Sequence, residues 1–323
     1  MRTRSTHRGL ELTEIGLGAA QLGNLYRETT DAEVEEGVAA AWDAGIRYFD
    51  TAPHYGLGLS ERRLGEQLRT HPRDEYVISS KVGRLLVPNP GGEDRMDDLG
   101  FAVPAATTRQ WDFSRDGILR SVEESLARTG LDRIDVLYMH DPDDHFEQAS
   151  TEGIGALIEL REQGVVTAVG AGMKDAAPLA ELIRRADVDL MMCAGRFTLI
   201  DDSALADLMP TAIEHNVGIV VAGVYNSGLL GRNRPNPDAT FDYGPVPPAI
   251  LEHANRVADA CEAHGVTLPE ASIAYVLRHP AVVSVVVGAR GRDQVRSNID
   301  RYATTMPEGL WDDLEAAGLV AAL

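Results

Sequence analysis

The sequence predicts an α/β fold, a (β/α)8 TIM barrel with long loops at its C-terminal face. Three observations lead there. Eight short apolar runs recur along the chain, and none alternates strictly between apolar and polar, as expected of strands covered on both faces. Segments of helical period separate them, so right-handed crossovers would generate a parallel sheet. An open doubly wound sheet is the alternative. It would require a Gly-x-Gly-x-x-Gly turn after the first strand, and the sequence there is AAQLGN.

Taken in order, the strand candidates are IGLGAAQLG (15–23), YFDTA (48–52), YVISSKV (76–82) and IDVLYMH (134–140). VVTAVGAGM (165–173), LMMCAGRF (190–197), GIVVAGVY (218–225) and VVSVVVGA (282–289) complete the set. The first helix is announced by a Thr30/Glu33 capping box and stops at Gly45. DGILRSVEESLARTG and TEGIGALIELREQG end in the same way at Gly130 and Gly164. DAAPLAELIRRA, SALADLMPTAIEHN, PAILEHANRVADACEAHG and RDQVRSNI fit further helices. No linker rich in Ser, Gly or Pro divides the chain, so residues 1–323 read as a single barrel domain. Two stretches are left over, Gly83–Ser114 and Arg232–Pro248. In a barrel both would overhang the C-terminal face, and the first is long enough for a lid or binding loop.

The composition narrows the function classes. Thirty basic against fifty acidic side chains give a formal charge of −20, which would repel a nucleic acid backbone. It does not exclude a phosphorylated cofactor, because clustered arginines can reverse the field in one cleft. Two cysteines, Cys193 and Cys261, are too few for a disulfide framework, and no spacing suggests a metal site. The N-terminal stretch lacks an apolar signal core, and no run of about 18 apolar residues predicts a membrane span. The expectation is a cytoplasmic protein without membrane or nucleic acid partners. Its oligomeric state is not legible.

In a barrel, the C-terminal ends of the strands converge on one mouth. Asp50 ends the second strand, Lys81 lies near the end of the third and His140 ends the fourth, while Tyr55 sits in the loop after the second. A phenol with a pKa of about 10 is nearly inert at neutral pH. A lysine beside it favours the phenolate, and Asp50 would hold that lysine charged. Tyr55 could then exchange a proton with a carbonyl or an alcohol, with His140 orienting the same oxygen. This suits hydride transfer with an external cofactor. Taken singly, each residue has a structural reading: an ion pair, a packed turn ring, a satisfied imidazole. The acidic run after His140 (Asp141, Asp143, Asp144, then His145) could suggest a metal, but it reads more simply as a solvated loop.

The motifs YFDTAPHYG, ISSKVG and LDRIDVLYMHDPD resemble those of the aldo-keto reductases along nearly the whole chain. The resemblance implies an eight-stranded barrel using NAD(P)H, with Asp50, Tyr55, Lys81 and His140 as its catalytic residues. KVGRLL, WDFSRDGILRSVEESL, HDPD, AGMK and AGRFTLID resemble more narrowly the branch of D-threo-aldose 1-dehydrogenases and pyridoxal 4-dehydrogenases. That branch oxidises aldoses such as L-fucose, D-arabinose or L-galactose to lactones, or pyridoxal to its lactone. General aldehyde or ketone reduction is a further alternative, and a cofactor-carrying subunit without turnover is a reading of a different class.

By the same resemblance Gly288, Ala289, Arg290, Gln294 and Asn298 fall on positions that bind the adenosine end of the cofactor, and Asn226 and Ser227 on pyrophosphate contacts. Many members that prefer NADP carry cations where Gly288 and Gln294 stand. Their absence leans the expectation to NAD over NADP, although Arg290 and Arg292 could substitute. The Ser-Asn pair that holds the nicotinamide in many members is here Gly172 and Met173. His54 and Trp111 are substrate-pocket candidates by position. Asp141 stands where many relatives have an aromatic residue, and a carboxylate there would accept hydrogen bonds from a polyol.

Overall fold

The computed structural model describes residues 1–242 and 244–323. Tyr243, inside the second leftover stretch, lies outside the described residues. Eight parallel strands close into a barrel: β1 (Ile15–Gly18), β2 (Tyr48–Asp50), β3 (Val77–Val82), β4 (Val136–His140), β5 (Ala168–Met173), β6 (Leu190–Ala194), β7 (Gly218–Ala222) and β8 (Val282–Gly288). Closure is made by β8 against β1, in register from Val285 opposite Ile15 to Gly288 opposite Gly18. Each strand lies within one of the eight apolar runs. Several stop short of the run's end because the chain turns there, at Gly195 and Gly223 with φ of 73° and 65°.

Helices α1 (Asp31–Asp43), α2 (Leu59–Leu68), α3 (Arg115–Thr129), α4 (Ile154–Glu162), α5 (Ala176–Arg185), α6 (Leu208–Glu214), α7 (Leu268–Leu277) and α8 (Arg292–Ala303) form the outer ring. The capping box on α1 is formed: Thr30 and Glu33 satisfy each other's backbone N–H groups. Where the periodicity suggests one helix after β7, there are two. An additional helix, Pro248–Ala263, precedes α7, which opens with its own capping box of Thr267 and Glu270. The first ends where the sequence places its end, before Gly265 with φ of 75°, whereas Leu268–Leu277 is unassigned from the sequence.

The N-terminal residues, unassigned from the sequence, form a hairpin of Thr3–Ser5 with Glu11–Thr13. Leu12 is fully buried and packs with the inward residues Tyr48, Val136, Leu190 and Val220, stopping the lower end of the barrel. Burial of a leucine stabilises by about 1.5–3 kcal/mol. That lower end is sealed, so access to the interior is from the C-terminal mouth. Over that mouth, 83–114 is not an irregular loop but a hairpin, Arg84–Pro88 paired with Thr107–Trp111. Its strands, RLLVP and TTRQW, are a short pair without a clear apolar period, which periodicity alone does not separate from loop. No described helix is long and apolar enough to cross a membrane.

Candidate active site

Along a strand alternate side chains face the barrel interior, and this period of two stacks the polar residues in layers. Tyr48 and Asp50 on β2, Ser79 and Lys81 on β3, and Tyr138 and His140 on β4 all point inward. The lower layer is a chain of hydroxyls: Tyr48 OH lies 3.2 Å from Tyr138 OH and 3.1 Å from Ser79 Oγ. Ser79 Oγ donates to Asp50 Oδ1 at 2.7 Å. In the upper layer Lys81 Nζ donates to both Asp50 oxygens, at 2.9 and 2.7 Å, and to the Thr51 carbonyl at 3.0 Å. Asp50 and Lys81 are both almost completely buried. Burial alone would drive the ammonium to release its proton. The charge of Asp50, the Tyr55 phenol and the hydrogen bonds to both outweigh it, so Lys81 is raised above an ordinary lysine and stays charged.

Tyr55 is presented by a tight turn. Gly56 follows it with φ of 62°, and a Cβ there would fall 2.2 Å from the Gly23 carbonyl oxygen, so no other residue fits. The turn is anchored from α2, where Ser60 Oγ donates to the Ala19 carbonyl at 2.7 Å and pairs with Thr51 Oγ1 at 2.8 Å. Lys81 Nζ stands 4.8 Å from the centre of the Tyr55 ring and is hydrogen-bonded to its phenol. His140 lies edge-on to Tyr55, with ring centroids 5.8 Å apart. The four residues expected to converge therefore share one space.

The hairpin of residues 84–111 contributes residues that the sequence reading missed. Arg84 donates to the His140 carbonyl at 3.3 Å, ion-pairs with Asp141 and lies 5.3 Å from the centre of the Trp111 ring. Arg109 ion-pairs with Asp97 and donates to His54 Nδ1 at 2.9 Å and to the His54 carbonyl at 3.0 Å. The period of two along Arg84–Pro88 and Thr107–Trp111 would have flagged both arginines had the hairpin been recognised. His54 lies 5.4 Å from His140 and 5.2 Å from Phe101, centroid to centroid. Burial, with Arg84, Arg109 and Lys81 nearby, pushes its imidazole down to about 2. Burial and the same cations, joined by His54, lower His140 well below the usual histidine range. Both rings are neutral at physiological pH. Burial raises the Asp141 carboxyl above the usual carboxylate range despite Arg84. Asp141 has φ of 42° and lines a cleft of about 320 Å³ with Asp143, Lys174, Asp175 and Arg196. Its carboxylate is thus already paired, which narrows the expected role of accepting from substrate hydroxyls to the oxygen that Arg84 leaves open. Trp111 stands at the rim, stacked on His145 at 6.4 Å.

On the opposite side of the mouth the inward positions are small. A Cβ on Gly172 would meet Lys81 Cε at 3.8 Å, and one on Gly288 would fall 2.4 Å from Gln21 Nε2. Gln21 Oε1 and Asn226 Oδ1 are buried and find no partner among the described residues. Buried orphan acceptors beside a glycine-lined cradle fit an elongated polar ligand such as a dinucleotide. Ala289 is buried, Gln294 Oε1 accepts from the Arg290 backbone at 2.9 Å, and Asn298 Nδ2 reaches the Gly288 carbonyl at 3.5 Å. The Arg290 guanidinium turns to the Leu25 and Arg27 carbonyls and to Thr29 Oγ1, so a phosphate arriving there must compete with them. Asn226 and Ser227 adopt left-handed φ of 43° and 56° at the turn after β7. Met173, in the position of the amide-holding asparagine, is buried in the outer core. Gln21, not foreseen, is therefore a stronger candidate on this side than Met173.

Among the described residues no three His, Cys, Asp or Glu side chains gather as a metal site. The arrangement exchanges a proton at one phenol beside a ligand cradle. The sequence profile of the aldo/keto reductase family matches residues 14–318. The chain is 46% identical to a D-threo-aldose 1-dehydrogenase of Pseudomonas over 97% of its length and 96% of that protein's. It is 36% identical to a pyridoxal 4-dehydrogenase of Microbacterium luteolum, over 97% of this chain and 96% of the relative. Among solved structures, an aldo-keto reductase of Bacillus halodurans in its holo form superposes with a TM-score of 0.77 at 24% identity, covering 100% of this chain and 97% of that one. The last comparison speaks to the fold, and the profile and sequence relatives speak to the chemistry: the chain belongs to the aldo/keto reductase family, oxidoreductases of carbonyl and CH–OH groups that use a nicotinamide cofactor.

Proposed function

We propose that the protein is an NAD-dependent aldose dehydrogenase that oxidises the hemiacetal carbon of a sugar to a lactone. The observation that carries this reading is Lys81, held charged between Asp50 and the Tyr55 phenol beneath a pocket walled by His54, His140, Arg84 and Asp141. A nicotinamide cofactor bound along Gly288, Gln21, Asn226 and Asn298 supplies the hydride acceptor. Lys81 stabilises the phenolate of Tyr55, which takes the proton from the anomeric hydroxyl. Asp50 keeps Lys81 charged and in place. His140, neutral, offers one N–H to the same oxygen. In reduction Tyr55 returns the proton. A wall of so many hydrogen-bonding groups suits a polyhydroxylated substrate better than an apolar aldehyde.

NAD is favoured because Gly288 and Gln294 bring no cation and Arg290 is committed to the loop after β1. The relative at 36% identity supports a second reading, oxidation of pyridoxal, whose cyclic hemiacetal offers the same kind of carbon. Absorbance at 340 nm, with NAD and then NADP, against L-fucose, D-arabinose, L-galactose and pyridoxal separates these readings. A rise with a sugar and NAD is expected. A rise with pyridoxal alone selects the second reading, and no rise with any of the four rejects both.

A further inference from the structure

We propose that Arg109 is a positioning residue that fixes the His54 imidazole with its Nε2–H facing the substrate, making His54 a donor that selects substrates with an oxygen beside the reacting carbon. The argument starts from what a guanidinium can do. It only donates and does not lose its proton, so the ring nitrogen it contacts must offer a lone pair. Arg109 Nε lies 2.9 Å from His54 Nδ1. The proton of the neutral imidazole is thereby placed on Nε2. A doubly protonated ring would set an N–H against the arginine's own.

Arg109 cannot swing away. Its side chain is 4% exposed and that of Asp97 3%, and the two ion-pair within the 84–111 segment. Nη2 is also held by the His54 carbonyl at 3.0 Å and by Asp97 Oδ2 at 3.2 Å. Four contacts to two residues use the fork geometry that lysine lacks. The groups facing His54 are Arg84, Arg109, Lys81, His140 and Tyr55, and the cations among them oppose its protonation. No described residue hydrogen-bonds to His54 Nε2, and the ring lies within 6 Å of those of both Tyr55 and His140. A fixed donor at that place rewards an acceptor oxygen next to the carbon that reacts, such as the 2-hydroxyl of an α-hydroxy aldehyde. The proposal rests on the family's carbonyl chemistry and on the site proposed above, but not on which sugar is used.

The direct test is a long-range 1H–15N spectrum of the wild-type protein labelled at histidine, with His54 assigned by its loss in His54→Gln. The Nε2–H tautomer, unchanged from pH 5.5 to 8, is expected. A proton on Nδ1, or titration near pH 6.5, overturns the proposal. The functional test is reduction of glycolaldehyde against acetaldehyde with NADH, in the wild type and in Asp97→Leu/Arg109→Met. Replacing both partners avoids stranding Asp97 as an unpaired buried carboxylate, and folding is checked by thermal melting. The wild type should prefer the hydroxylated substrate, and the variant should lose about 10-fold of that preference, mainly through KM. An undiminished preference in the folded variant overturns the selective role. Because neither readout uses an aldose, a failure of sugar oxidation would leave both results interpretable.

Discussion

At the rim of the barrel, β2, β3 and β4 present Asp50, Lys81 and His140 as their last inward residues, whereas β1, β5, β6, β7 and β8 present Gly18, Gly172, Ala194, Ala222 and Gly288. In the charged half the ionic groups are paired, and His140 Nδ1 is its one buried ring nitrogen that finds no partner among the described residues. Asp50 and Lys81 hold each other, and the arginines of the hairpin each hold an aspartate. The bare half keeps two oxygen acceptors, Gln21 Oε1 and Asn226 Oδ1, buried without partners among the described residues. An unsatisfied buried polar atom costs about 1–3 kcal/mol, which a ligand that pairs with it can recover. The difference teaches how one mouth serves two purposes. Groups that move protons must be held rigidly by the protein, while a site for a large cofactor is made by leaving side chains out.

The sharpest way to break this division is Tyr55→Phe. If the phenol is the proton carrier, kcat should fall by about 10²–10⁴-fold, with cofactor affinity by fluorescence titration unchanged. Retained turnover would remove Tyr55 from the chemistry. Lys81→Met comes next. It strands Asp50 as a buried unpaired charge and should lower stability by about 3–5 kcal/mol in urea unfolding, besides abolishing activity. Gly288→Val on the bare half should do the reverse. The fold should tolerate it, because only the flexible end of Gln21 is in the way, but cofactor Kd should rise by at least about 10-fold, or about 1.4 kcal/mol.

A smaller effect follows from His54 and His140. Both are neutral when folded and titrate near 6.5 when unfolded, so below that pH the unfolded chain binds protons that the folded one refuses. Their contribution is full above about pH 6.5 and is lost as pH falls, at about 1.4 kcal/mol per group per pH unit. Urea midpoints between pH 7 and 5 should fall, and His54→Gln should flatten the slope. The smallest effect is expected of Gln21→Met. Removing an orphan acceptor should leave stability unchanged or slightly higher while weakening the cofactor a few-fold. A clear loss of stability would mean that Gln21 serves the fold rather than the ligand.

The division was half visible beforehand. Asp50, Lys81 and His140 stand at the ends of apolar runs, where a period of two and the barrel hypothesis send them to one mouth. The hydroxyl chain of Tyr48, Ser79 and Tyr138 obeys the same period, two residues earlier on each strand, and was legible to the same rule. The roles of Arg84 and Arg109 were not. Their partners are 57 residues away in Asp141, and 12 and 55 away in Asp97 and His54, and only the hairpin's fold brings them together. Likewise Arg290 read as a free cation near a cofactor phosphate, because nothing local shows that the loop after β1 approaches it.

What the sequence by itself determined is what short-range physics encodes: eight buried strands from their apolar runs, the start of the first helix from its capping box, several helix ends from glycines, and the chemical types at the strand ends. What the tertiary structure alone decided is pairing. Closure of β8 on β1, the folding of residues 84–111 over the mouth and the engagement of Arg109 with His54 set which charges are neutralised and which acceptors stay open. Electrostatic and hydrogen-bond energies depend on distances of a few ångströms, and those arise from contacts across tens to hundreds of residues that local pattern cannot measure.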